Sequence, residues 1–238
     1  MSEAFFFRQF LAGRDFAIGD EVATAMRNFS YAIGDRERGE VVLVDPAYRP
    51  AELVAIMAEE SLRVVGVVAT HYHPDHVGGS LGANVHIDGV AELLKEMELP
   101  IHVQADEVEW ISASTKLPAN SFVAHHDRDV VSVGDVAVTL LHTPGHTPGS
   151  QCLLVGGDML SGDTLFIDGC GRTDFPGGDA RELYTSLHER LAVIDDETIV
   201  YPGHLYSPEG SLSMGEVRAR NFVLEPRSVE QWLAMFGS

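Results

Sequence analysis

The stretch T-H-Y-H-P-D-H-V-G-G (residues 70–79) carries three histidines and an aspartate within positions 71–76 and follows the apolar run V-V-G-V-V-A (64–69). A β-branched, almost wholly apolar run reads as a central strand, here 64–70, covered on both faces. The imidazoles and the carboxylate then sit in a loop at the end of that strand. Four ligand-type side chains in one tight loop point to a metal ion. In an extended segment His71 and His73, two residues apart, can meet one ion, and Asp75 and His76 point the other way toward a second. Ten residues do not close a coordination shell, so partners must come from other segments.

The chain has 11 histidines, unevenly spread. His146 lies in H-T-P-G-H-T-P-G (142–149), Asp163 in M-L-S-G-D-T-L-F (159–166) and His204 in Y-P-G-H (201–204). Each segment follows an apolar, strand-like run, and loops at strand ends are where a rigid sheet presents side chains to a shared cleft. Zinc and iron accept imidazole nitrogen and carboxylate oxygen at roughly 2.0–2.2 Å. A carboxylate such as Asp163 can bridge two ions about 3.5–4 Å apart. His71, His73, Asp75, His76, His146, Asp163 and His204 thus form a coherent two-ion set. His86, His102, His125, His126, His142 and His188 read as ordinary hydrogen-bonded or solvated residues, with His125-His126 a solvated turn. Asp45, at a strand end, either orients a ligand histidine or caps the following turn.

Composition limits the remaining possibilities. The 238 residues are 45% hydrophobic and 22% charged, an ordinary globular balance with enough length for a substantial core. A net charge of −20 repels phosphate backbones and acidic membrane surfaces, so neither nucleic acid nor membrane is an expected partner. Two cysteines, Cys152 and Cys170, are too few for a disulfide scaffold and fit a reduced, cytoplasmic setting. The N-terminal apolar patch is preceded by Glu3 and interrupted by Arg8, which does not match a secretory leader.

Period-two and near-continuous apolar runs predict strands at 4–11, 29–34, 40–46 and 198–201. Helices are expected at about 50–62, within 88–112 around a short strand near 101–104, and from Asp179 onward. A run of strands is expected over 121–167, with turns at 126–129 and 133–136. The tail from Met214 should hold one or two helices packed through Trp232, Leu233 and Phe236.

The motifs carry a family resemblance. T-H-Y-H-P-D-H matches the HxHxDH motif of the metallo-β-lactamase superfamily. P-G-H (144–146), S-G-D-T (161–164) and Y-P-G-H (201–204) resemble its later metal motifs in the same order, over about residues 25–206. The resemblance implies an α/β fold, an αβ/βα four-layer sandwich with the metal site at one edge of the two sheets. With no low-complexity linker and no short-period repeat, the chain reads as one such domain over 1–238 with a short helical tail at about 214–238. By the same carry-over His71, His73 and His146 hold one ion, Asp75, His76 and His204 the other, and Asp163 bridges them.

L-F-I-D-G-C-G-R-T-D-F-P-G-G-D (165–179) resembles the glyoxalase II group of thioester hydrolases and the persulfide dioxygenases. The first group implies a hydrolase of a small thiol-derived substrate, with two divalent ions (zinc, with iron or a mixed pair as alternatives) and Asp75 as a catalytic residue. The second implies a single Fe(II) held by His71, His146 and Asp163. In that family the positions matching Arg172 and Tyr206 contact glutathione. The residues themselves leave Arg172 equally a partner of Asp174 or Asp168, and Tyr206 equally a packing residue. The chain departs from the dioxygenase pattern in a longer 76–146 segment and in Leu205 after His204, where an aspartate is expected. A non-catalytic, metal-stabilised module fits less well, because the ligand set leaves room for water or substrate. A homodimer is compatible with the sequence.

Overall fold

In chain order, β1 (Phe5–Leu11), β2 (Phe29–Asp35), β3 (Glu40–Val44) and β4 (Arg63–Val68) precede a hairpin of β5 (Gly79–Leu81) and β6 (Val85–Ile87); β7 (Ile101–Gln104) and β8 (Phe122–His125) follow. Apart from the hairpin these strands form a six-stranded sheet in the order β1-β2-β3-β4-β7-β8. A second six-stranded sheet, β14-β13-β12-β11-β10-β9, is built from β9 (Val130–Val133), β10 (Val136–His142), β11 (Gln151–Val155), β12 (Asp158–Gly162), β13 (Ile199–Pro202) and β14 (Leu212–Ser213). This computed structural model describes residues 4–82, 84–225 and 227–237. Glu3, and Pro226 and Ser238 of the expected tail, lie outside the described residues.

The two sheets face each other through alternate residues of their strands. Val42, Val44 and Val68 of one pack with Val138, Leu140, Leu153 and Leu160 of the other. Val41 and Leu43, one residue out of phase, point to the outer face, as strand periodicity requires. There they meet the helical layer.

That layer comprises α1 (Glu21–Met26), α2 (Pro50–Glu59), α3 (Pro74–Val77), α4 (Val90–Glu96) and α5 (Val108–Thr115). Leu53 and Met57 of α2 cover β3, while Leu93 of α4 and Ile111 of α5 cover Val67, Ile101 and Val103. On the far side α6 (Ala180–Thr185), α7 (Met214–Arg220) and α8 (Val229–Phe236) cover Cys152, Met159 and Val200 with Leu183, Val217 and Trp232. The result is the expected helix–sheet–sheet–helix sandwich. Cap residues start several helices: the Asp20 and Asp179 carboxylates each accept two backbone N–H groups of α1 and α6. Trp232 anchors the tail by donating its indole N–H to the Ala180 carbonyl at 2.7 Å.

Two local expectations are corrected. The helix after Asp179 is α-helical only to Thr185; Ser186–Arg190 is π-helical. There Ser186 Oγ donates to the Pro144 carbonyl and Arg190 to the His142 carbonyl, tethering the segment to the His146 loop. His125 is not part of a solvated turn but ends β8 and shares a 2.8 Å hydrogen bond with His102, leaving His126 exposed. Helix α1 and the β5–β6 hairpin were not anticipated; both are only one turn or a few residues long, too short for periodicity to reveal.

The strand ends bring the metal-loop candidates to one edge. Asp45 follows β3, His71 follows β4, His146 follows β10, Asp163 follows β12 and His204 follows β13. The edge is tied across the sheets. Phe29 N–H donates to the Gly203 carbonyl at 2.8 Å, Leu205 N–H to the Arg27 carbonyl at 2.9 Å, and Gln151 N–H to the Thr70 carbonyl at 3.0 Å. No helix among the described residues is long and apolar enough to cross a membrane.

Candidate metal centre

Pro74 opens α3 at the first helical position, where its fixed φ and missing N–H cost nothing. The bend divides the loop between two groups. His71 and His73 join His146, and Asp75 and His76 join His204, with the candidate ligand atoms of each group within 4.8 Å of one another. Asp163 lies between the groups. Its Oδ1 is 3.4 Å from His76 Nε2, and its Oδ2 is 3.3 Å from His204 Nε2 and 3.7 Å from His146 Nε2. All seven expected residues therefore meet at one place; His73 is half-buried and the others are buried.

Hydrogen bonds around the cluster decide which ring nitrogens face inward. His76 Nδ1 lies 2.9 Å from Asp45 Oδ2, His204 Nδ1 2.9 Å from the Met26 carbonyl and His146 Nδ1 2.7 Å from the Arg172 carbonyl. Each of these oxygens can only accept, so each Nδ1 carries a hydrogen. Thr70 Oγ1 donates to Asp45 at 2.6 Å and is left to accept from His71 Nδ1 at 3.0 Å. Four imidazoles are thus held with Nε2 turned inward, where it takes either a proton or a cation. His71 Nε2 and Asp163 Oδ1 are fully buried and have no hydrogen-bond partner among the described residues. Two orphaned atoms facing converging imidazole and carboxylate donors fit a metal ion, since buried polar atoms are otherwise paired. Imidazole and carboxylate together suit zinc or iron.

Charge separates the two groups. Burial pushes His71 well below its ordinary value, His73 down to about 3 and His146 down. Burial acts on His76 too, but Asp163, Asp75 and Asp45 outweigh it and raise His76 to about 10; His204 is raised against burial chiefly by Asp163. Against the upward push of burial, His204 and His76 hold Asp163 well below its usual range, and His76 and His204 lower Asp75. Without an ion the first group is neutral, whereas the second balances its carboxylates with protons.

Several positioning residues were not singled out from the sequence. Tyr48 Oη donates to Asn28 Oδ1 at 2.7 Å, and Asn28 Nδ2 donates to Asp75 Oδ2 at 3.0 Å, fixing that carboxylate. Glu107, 1% exposed, accepts from Tyr72 N–H at 2.6 Å, Thr147 Oγ1 at 2.8 Å and Gly149 N–H at 2.7 Å, so it clamps the His71–His76 loop to the His146 loop. Nothing in A-D-E-V distinguishes this glutamate from a solvated helix-start acid. Asp45 takes the orienting role, bonding both Thr70 and His76. Gly203 is needed for close approach, because a Cβ there would lie 2.2 Å from Asp163 Oδ1.

The cluster floors a cleft of about 710 Å³ lined by both Arg172 and Tyr206. Arg172 forks onto Asp174 at 2.8 and 2.5 Å, choosing the nearer of its two expected partners, and lies over the Phe175 ring. Asp168 pairs instead with Arg220. Tyr206 is 51% exposed and stacks on His204 with ring centroids 4.5 Å apart. Cys170 also lines the cleft, and burial raises its thiol to about 12, which favours the protonated form.

Residues 23–204 match the family described as the metallo-beta-lactamase superfamily. The chain is 30% identical over 219 residues to the mitochondrial persulfide dioxygenase ETHE1 of Homo sapiens, covering 88% of this chain and 76% of that protein. It is 32% identical over 187 residues to the cytoplasmic hydroxyacylglutathione hydrolase of Arabidopsis thaliana, covering 76% and 64% respectively. The crystal structure of ETHE1 from Myxococcus xanthus superimposes with a TM-score of 0.78 at 28% identity, covering 98% of this chain and 90% of that one.

Proposed function

Because the chain belongs to the metallo-β-lactamase superfamily, we propose that it is a metal-dependent hydrolase that cleaves a thioester of a low-molecular-weight thiol. The observation that carries this reading is the completeness of both ligand groups. His71, His73 and His146 would hold one divalent ion, Asp75, His76 and His204 a second, and Asp163 would lie between them. Zinc is the expected ion, with iron or a mixed pair as alternatives. When bound, such ions supply Lewis acidity and lower the pKa of a shared water toward ~7.

The chain's own groups do the rest. Asp75, fixed through Asn28 and Tyr48, accepts a hydrogen bond from the attacking water and orients it. The water oxygen bonds to the acyl carbon, the carbon–sulfur bond breaks, and a carboxylate, a thiol and a proton result. Tyr206 and Arg172, which line the cleft, contact the thiol carrier. Thiol release from an acyl thioester should proceed undiminished without oxygen. Absence of cleavage by the zinc-loaded and iron-loaded protein would overturn the reading.

A second reading, an iron-dependent persulfide dioxygenase, is favoured by one observation. The two orphaned atoms, His71 Nε2 and Asp163 Oδ1, both belong to the His71, His146 and Asp163 set that would hold a single Fe(II). That iron would supply redox chemistry with dioxygen, while His73, Asp75, His76 and His204 would hydrogen-bond around it. Oxygen uptake with glutathione persulfide is its test, and no uptake by the iron-loaded protein excludes it.

A further inference from the structure

Asn28 lies just before β2, bridged through its backbone to His204, and its buried side chain reaches into the Asp75, His76 and His204 group. Its Nδ2 is 3.0 Å from Asp75 Oδ2, 3.3 Å from His76 Nε2 and 3.4 Å from His204 Nε2. Those three atoms are themselves 3.3, 3.4 and 3.6 Å apart, a spacing that suits donors sharing one ion at roughly 2.0–2.2 Å. A carboxylate only accepts, so the amide atom facing Asp75 is the nitrogen. The amide therefore aims its N–H hydrogens at the lone pairs a cation would take. In the other group His71 Nε2 meets no such donor among the described residues.

Tyr48 keeps the amide that way round. It is buried, and its hydroxyl makes one hydrogen bond among the described residues, to Asn28 Oδ1 at 2.7 Å. Its backbone is left-handed (φ 71°), a conformation that a bulky residue adopts only where its surroundings demand it. Turning the amide over would point Oδ1 inward and leave the Tyr48 hydroxyl hydrogen without an acceptor, which is costly in a buried place. We propose that Asn28, locked by Tyr48, opposes the second ion and so sets how many ions the cluster holds. Asn28 is a positioning residue, acting through Asp75, His76 and His204. This rests on the two-group ligand set and holds for either reaction: the stronger the opposition, the closer the protein stands to the one-ion state.

The test titrates zinc into metal-free wild type, Tyr48→Phe and Asn28→Asp in competition with a chelator, and counts ions per chain by elemental analysis. Tyr48→Phe frees the amide to turn and lend Oδ1 to the ion, so the second ion should bind about tenfold more tightly. Asn28→Asp puts a carboxylate oxygen in the same place and should give a larger gain. The first ion's affinity should not change in either variant, which also reports an intact fold. If Asn28 and Tyr48 only support Asp75, both variants weaken the second ion instead. A second ion bound no more tightly in either variant than in wild type therefore overturns the proposal and leaves the two-ion set standing. One ion per chain in all three proteins removes both.

Discussion

Asp45 has a left-handed backbone (φ 49°) and is buried, with Oδ1 accepting Thr70 N–H at 2.7 Å and Oδ2 facing both Thr70 Oγ1 and His76 Nδ1. A non-glycine residue in that conformation costs on the order of 1–3 kcal/mol and is retained where its side chain has a fixed task. Here the task is to hold His76 Nε2 inward and, through Thr70, His71 Nε2 as well. Asp45→Asn keeps the shape but replaces an acceptor with a donor. It should weaken the second ion's affinity about 10–100-fold, measured by competition with a chelator. Protons give a second prediction. His76, at about 10 without metal, must lose its proton to bind an ion, whereas His71 and His146 are already neutral. As pH rises toward 10 the competing proton is lost, so affinity at the second group should rise about tenfold per pH unit per proton released. On acidification the second ion should leave first. Metal titrations followed by released protons at several pH values check both points.

At the scale of elements, the two metal loops are held together by a carboxylate that contacts neither ion group. Glu107, in the turn before α5, receives three hydrogen bonds from the Tyr72 and Thr147–Gly149 segments, and burial raises it to about 7. A carboxyl group raised on folding binds its proton more tightly in the folded state. Its contribution to stability is full below the unfolded value near ~4.3 and is lost as pH rises through about 7. Glu107→Gln should therefore flatten the fall in urea-unfolding stability between those pH values. It should also loosen the His73–His146 pair, read as weaker metal retention. An unchanged pH slope would show that Glu107 is already ionised at the lower end. Elements with a clear period were legible: the β-branched 64–69 run, the Asp179 cap and the Trp232 tail all fall where patterning puts them. The π-helical stretch was not, because it follows from tethers to His142 and Pro144 that lie far away in sequence.

At the scale of the whole molecule, two facing sheets make the site by ending five strands at one edge. The convergence of the seven candidate ligand residues was legible because metal chemistry restricts residue type and because the motifs occur in a recognisable order. Their supports were not, since Asn28, Tyr48 and Glu107 are ordinary polar residues until the fold brings them beside Asp75 and the loops. Arg172 and Tyr206 were half legible. Both line the cleft, but Arg172 spends its fork on Asp174, which a linear sequence left level with substrate binding. What separates a two-ion hydrolase from a one-ion oxygenase is occupancy of the Asp75, His76 and His204 group. The decisive measurement is metal stoichiometry per chain, by elemental analysis, on the same sample used to assay thioester cleavage, for wild type and His76→Ala. Two ions per active chain, falling to one with loss of cleavage in the variant, are expected. One ion per chain with undiminished cleavage in His76→Ala would contradict the two-ion mechanism.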